Sequence, residues 1–283
     1  MKLYVLSCGQ MCDEKAFLWH FGTKEDSGKE YVPEAFKHTK SIYYIEHPEA
    51  KILFDTGWHL DDFGKRGGFP NRVGPDGWGH KQEPDENPVA QLRKIGVDID
   101  DIDYVVMSHL MTEHAGWLPT FAGKRAQIVV QSKEYDYARR LGRPTPPGES
   151  PPVEQFHSWM YQRKHYEIPG LNYKLIDGDF ELARDVMVLH APGHTPGYQM
   201  MCVRLPKTGV VVLSPCEHCG MYYAIPINGN GPGIPHSFTW FAAEELRTFK
   251  RMRELVEREK GQIFCGHDEG QFATLKHIPE YYE

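Results

Sequence analysis

YVVMSHLMTEHAGW, residues 104–117, begins as an apolar strand and ends as a set of ligands. Tyr104, Val105, Val106 and Met107 stop at Ser108, and His109, Glu113 and His114 follow within six residues. A strand fixes the backbone, and the turn after it lets side chains three to five positions apart converge on one point. Histidine and carboxylate are donors for zinc and related ions. Met111 stands where a further donor would serve best.

The pattern recurs along the chain. Short strands predicted at 186–190, 210–213 and 262–265 end respectively in Pro192-Gly193-His194, in Ser214-Pro215-Cys216-Glu217-His218-Cys219 and in Gly266-His267-Asp268. One strand-end histidine alone is most simply a satisfied structural residue. Four ligand-bearing strand ends in one chain point instead to a shared metal site. The Cys216-x-x-Cys219 spacing also occurs in redox motifs, but neither a βαβ unit nor a helix-forming stretch follows, so metal ligation or packing is the better reading.

The remaining elements are mixed. Strands are expected at 2–7, 41–46 and 51–55, the last two joined by the four residues His47 to Ala50. Asn87-Pro88 reads as a helix start, with Asn as cap and Pro at the first position, stopping at Gly96. A helix over 132–140 follows the strand 127–131. A longer amphipathic helix is expected from Thr239 to Lys260, with Phe241, Leu246, Phe249, Met252 and Leu255 at helical spacing. Strands punctuated by a few helices indicate mixed α/β layers. The chain reads as a single domain, 1–283, with a long Gly-, Pro- and aromatic-rich loop at 58–86 and a Pro-rich insertion at 142–153.

Composition narrows the function classes. A chain of 283 residues with 40% hydrophobic and 25% charged residues can bury a proper core. Its net charge of −7, without a basic stripe, argues against nucleic acid as a partner. No apolar run is long enough to span a membrane. The opening MKLYVLSCGQMCDEK reads as a first strand rather than a signal peptide, and six cysteines in a chain this long do not suggest a disulfide scaffold. A cytoplasmic location is expected.

Taken together, Asp55-Thr56-Gly57, the strand into Ser108-His109, Pro192-Gly193-His194-Thr195-Pro196-Gly197 and the last strand into His267 resemble the metallo-β-lactamase superfamily, in particular its N-acyl-homoserine lactonase branch. The resemblance covers nearly the whole chain and implies a four-layer αββα sandwich with the metal at one edge. It also exposes departures. The family's His-x-His-x-Asp-His motif reads His109-Leu110-Met111-Thr112-Glu113-His114 here, and the bridging Asp falls at Cys216 or Glu217.

By that resemblance His109 and His194 belong to a first metal position, weakened because a thioether at Met111 is a poor ligand. Glu113, His114 and His267 form a second, intact by chemical type, and Cys216 or Glu217 adds a donor. One or two divalent ions are implied, Zn first, with Mn or Fe as alternatives. The implied activity is hydrolysis of a small, partly apolar or aromatic substrate by metal-bound hydroxide, with Glu113 orienting or deprotonating the water. A lactone or ester is the first substrate class, and an activated aromatic ether or halide another. The rival reading is a metal-free or weakened partner subunit. A homodimer, or a hetero-oligomer with a related chain, is expected.

Overall fold

The computed structural model describes residues 1–14, 35–62, 72–73, 79–141, 160–216, 233, 235 and 239–283. Two sheets dominate. The strands of the first are β1 (Lys2–Glu14), β2 (Ala35–Glu46), β3 (Lys51–Phe54), β4 (Arg72–Val73), β5 (Gly79–Lys81), β6 (Tyr104–Val106), β7 (Gln127–Gln131) and β8 (Asn172–Ile176), in the order β4-β5-β1-β2-β3-β6-β7-β8. The second holds β9 (Phe180–Ala183), β10 (Val186–His190), β11 (Gln199–Leu205), β12 (Gly209–Ser214) and β13 (Gln262–Cys265), in the order β13-β12-β11-β10-β9.

Alternation along the strands builds the layers. Leu3, Val5, Tyr43 and Ile45 of the first sheet meet Val211, Leu213 and Phe264 of the second in an apolar cluster between the sheets. Their neighbours Tyr4, Leu6, Ile42 and Tyr44 point the other way and pack with Leu92, Tyr137 and Leu141 from the helices Pro88–Lys94 and Ser132–Leu141. Val210 and Val212 face outward from the second sheet and pack against Phe249, Met252 and Val256 of the helix Ala242–Glu259. Three apolar interfaces therefore separate four layers, α/β/β/α, as expected. Period-two patterning is what lets one strand serve two of them.

Several boundaries differ from expectation for identifiable reasons. β1 does not turn after Ser7 but continues to Glu14, with a register shift between Ser7 and Gln10. Gly9 takes φ +98 there, and a Cβ at this position would lie 2.7 Å from the Lys81 carbonyl oxygen, so the bulge depends on glycine. The long loop contributes β4 and β5, which extend the sheet beyond β1. The helix expected to open at Thr239 starts at Ala242. Thr239 Oγ1 and the Phe241 amide both donate to the Gly193 carbonyl, and the Trp240 amide donates to that of His194. These three residues are spent on holding the His194 turn, and Phe241 is half exposed rather than part of the apolar stripe. Asn87 does cap its helix, its Oδ1 accepting from the Ala90 amide. The insertion 142–153 lies outside the described residues, and no helix among those described is long and apolar enough to cross a membrane.

Candidate metal centre

Strand direction brings the polar ends together. β3, β6 and β7 run parallel, as do β12 and β13. Gln199 on β11 stitches the sheets beside the site, donating from its amide to the Ser108 carbonyl and from Nε2 to that of Met107.

Asp55 orients the first histidines. Its backbone has φ +62, and its carboxylate turns inward, fully buried. Oδ1 accepts from the Ser108 amide at 2.7 Å, and Oδ2 accepts from Ser108 Oγ at 2.7 Å and from His114 Nδ1 at 2.8 Å. Ser108 Oγ, having given its proton to Asp55, accepts in turn from His109 Nδ1 at 2.9 Å. One carboxylate thus sets the tautomer of both imidazoles and leaves the lone pair of each on Nε2. An outer carboxylate acting through a histidine is the usual support of a metal ligand. Burial pushes the Asp55 carboxyl up to about 7, opposed by the two hydrogen bonds from Ser108.

Among the described residues, His109, His114 and Cys216 are all buried and bring one donor atom each within 4.8 Å of one another. The buried Nε2 of His114 has no hydrogen-bond partner among the described residues. A nitrogen lone pair left so, beside a second imidazole and a thiol, fits a borderline-soft cation. Cys216 Sγ lies 3.2 Å from His194 Nε2, and the rings of His109 and His194 stand edge to face with centroids 4.9 Å apart.

The arrangement departs from the expected pairing of positions. Glu113 is buried on the one-turn helix Thr112–Ala115, but its carboxylate is not among the three clustered donors. Met111 is fully buried in the apolar cluster on the outer face of the first sheet, with Leu110 and Leu118. His267 Nδ1 donates to the Thr39 carbonyl at 2.9 Å, and Nε2 lies 3.0 Å from the ammonium of Lys40. Cys216 is described and lies at the centre, whereas Glu217, its alternative as the added donor, and Cys219 lie outside the described residues.

Glu134, which no motif singles out, ties two ligand turns together. Oε1 accepts from the Leu110 amide at 3.0 Å and from the Tyr161 hydroxyl, while the Thr195 hydroxyl donates to Oε2 and the Gly197 amide also bonds the carboxylate. The turns carrying His109 and His194 are therefore referred to one buried carboxylate. Its only sequence signal is an acidic residue in the first turn of a helix, which is ordinary on a surface.

Burial, reinforced by the Lys40 charge, holds the protonation of His114 and His267 well below the ordinary 6.5. Both imidazoles are neutral at neutral pH, as metal ligation requires. The unfolded chain takes up these protons near 6.5 and the folded chain does not. On their own the two imidazoles lower the stability of the metal-free protein as pH drops below that value, by up to about 1.4 kcal/mol per pH unit each. Asp55, whose carboxyl takes up its proton at about 7 in the folded chain and far lower in the unfolded one, offsets part of this loss. Thermal unfolding of chelator-treated protein between about pH 7 and about pH 5 should therefore lose less Tm with acid in His267→Ala than in the native chain, and equal losses would refute the histidine contribution.

Residues 37–213 match the family described as the Metallo-beta-lactamase superfamily. The chain is 29% identical over 290 residues to the N-acyl homoserine lactonase AttM of Azorhizobium caulinodans, covering 100% of this chain and 99% of that one. It is 32% identical over 240 residues to an N-acyl homoserine lactonase of Bacillus sp, covering 84% and 85%. Among solved structures, an N-acyl homoserine lactone hydrolase with the product N-hexanoyl-L-homoserine at its catalytic metal centre superposes with a TM-score of 0.76 at 26% identity, covering 99% of this chain and 98% of that one.

Proposed function

The chain belongs to the metallo-beta-lactamase superfamily, and from that footing we propose that it is a metal-dependent hydrolase that opens N-acyl homoserine lactones or closely similar small lactones. The observation that carries this is the convergence of His109, His114 and Cys216 in a buried cluster whose imidazoles are oriented by Asp55, directly or through Ser108. That its relatives are N-acyl homoserine lactonases favours a lactone ring over an aromatic ether or halide, and an enzyme over a metal-free partner subunit.

His109, His114 and Cys216 hold the ion, with His194 beside them. A thiolate with imidazoles suits Zn best, ahead of Mn or Fe. Such an ion supplies Lewis acidity, acidifying water and polarising a carbonyl. The chain's own groups do the rest. Asp55 and Ser108 keep protons on the Nδ1 atoms of His114 and His109, so both Nε2 atoms stay basic. His194 Nε2, at 3.2 Å, is placed to take the proton of the Cys216 thiol. Glu113, next to His114 in sequence, is the carboxylate assigned to orient the attacking water and accept its proton. Ring opening adds one water across the ester C–O bond, and that proton ends on the ring oxygen that becomes the product hydroxyl.

A panel of N-acyl homoserine lactones, linear esters and aryl ethers, followed by acid release, tests the assignment. Lactones are expected to turn over with kcat/KM of about 10⁴ M⁻¹s⁻¹ or more, the activity vanishing with chelator. Turnover of only the linear esters or aryl ethers by fully metallated protein would overturn it.

A further inference from the structure

The side of the centre marked by His267 holds a residue that no ligand motif announces. Lys40 lies on β2, 227 positions from His267 in sequence, and its side chain is buried. An ammonium has three donors and no acceptor. His267 already donates from Nδ1 to the Thr39 carbonyl, so its Nε2 accepts from Lys40 Nζ at 3.0 Å. The lone pair a cation would need is therefore taken. The Trp58 ring centroid lies 5.8 Å from Nζ, and Lys40 acts electrostatically on the buried Asp55 carboxyl. A nearby histidine, His38, has its ring centroid 5.3 Å from that of His267.

We propose that the Lys40 ammonium takes the place of a second metal ion, so that this centre binds a single cation on His109, His114 and Cys216 while His267 serves Lys40 instead of the metal. This rests on the metal-dependent reading above. A divalent ion reaching His267 would have to break the Lys40 hydrogen bond and then lie beside a like charge, and both disfavour it. Lysine suits the role because its charge is compact and carried on a stem that can itself be buried. Sequence reading gives the intact ligand set to the His267 side. The structure gives that side a built-in cation.

Metal content separates the possibilities. Protein saturated with Zn(II), freed of loose ion by gel filtration and assayed by mass spectrometry is expected to carry one equivalent. His267→Ala should still carry one, and its Co(II)-loaded form should keep the thiolate-to-metal absorption band of the native protein. Lys40→Met should take up a second equivalent, since the His267 lone pair is released and the like charge removed. Two equivalents in the native protein, loss of the ion in His267→Ala, or a Lys40→Met protein that stays at one would each overturn the proposal. The His267→Ala result stands independently if Lys40→Met does not fold. A native protein that binds no ion at all overturns the functional reading beneath it, which is a different outcome from two.

Discussion

Replacing His114 with alanine is expected to cost roughly a thousand-fold or more in kcat/KM for lactone opening, because several kcal/mol of Lewis-acid stabilisation go with the ion. The substitution removes an Nε2 that has no hydrogen-bond partner among the described residues, together with the Nδ1 donor to Asp55. Ser108→Ala is the graded control. It leaves every clustered donor in place and removes only the hydroxyl between Asp55 and His109, so a loss of about 10–100-fold is expected. Steady-state kinetics with metal analysis on both variants checks the order. A His114→Ala protein that keeps its ion and acts within tenfold of the native rate would contradict the ligand assignment.

The largest stability effect is expected from Glu134→Leu. Leucine roughly fills the volume but leaves the Leu110 and Gly197 amides and the Tyr161 and Thr195 hydroxyls without their acceptor. Each buried donor so abandoned costs about 1–3 kcal/mol, so even the low end sums to about 4 kcal/mol, a large part of the roughly 5–15 kcal/mol available to a folded protein. Burial raises the Glu134 pKa against the opposing pull of these four hydrogen bonds. A fall in Tm of about 10 °C is expected, with weaker retention of the ion because the turns of His109 and His194 lose their common anchor. Glu134→Gln keeps one acceptor oxygen and should lie between. A Tm unchanged in the leucine variant would show that the carboxylate anchors neither turn.

The fold was largely legible because its signals are local. The short apolar runs at 104–107 and 210–213, the Asn87-Pro88 cap and the strand-end positions of His109, His194 and His267 can each be read within a window of a few residues. What escaped depends on pairing across long separations. Lys40 looks like an ordinary polar residue until the end of β13 meets β2 and sets His267 Nδ1 against the Thr39 carbonyl. Asp55 could be seen in its Asp-Thr-Gly turn, but not its grip on two histidines more than fifty residues on. Glu134 carries no motif, since a carboxylate in the first turn of a helix is common. The start of the helix at Ala242 was obscured for the same kind of reason: the three residues before it bond to Gly193 and His194, a contact spacing cannot reveal. Sequence alone does not separate Cys216 from Glu217 as the added donor; the fold sets the Cys216 thiol beside His194, while Glu217 lies outside the described residues.

The most direct test of the whole account is a titration. Metal-depleted protein is mixed with increasing Zn(II) while the opening of an N-acyl homoserine lactone is followed by acid release. The account predicts no activity without the ion, a linear rise as it is added, and a plateau at one equivalent per chain. Full lactone turnover by the metal-depleted protein, or none at any Zn(II) concentration, would contradict it.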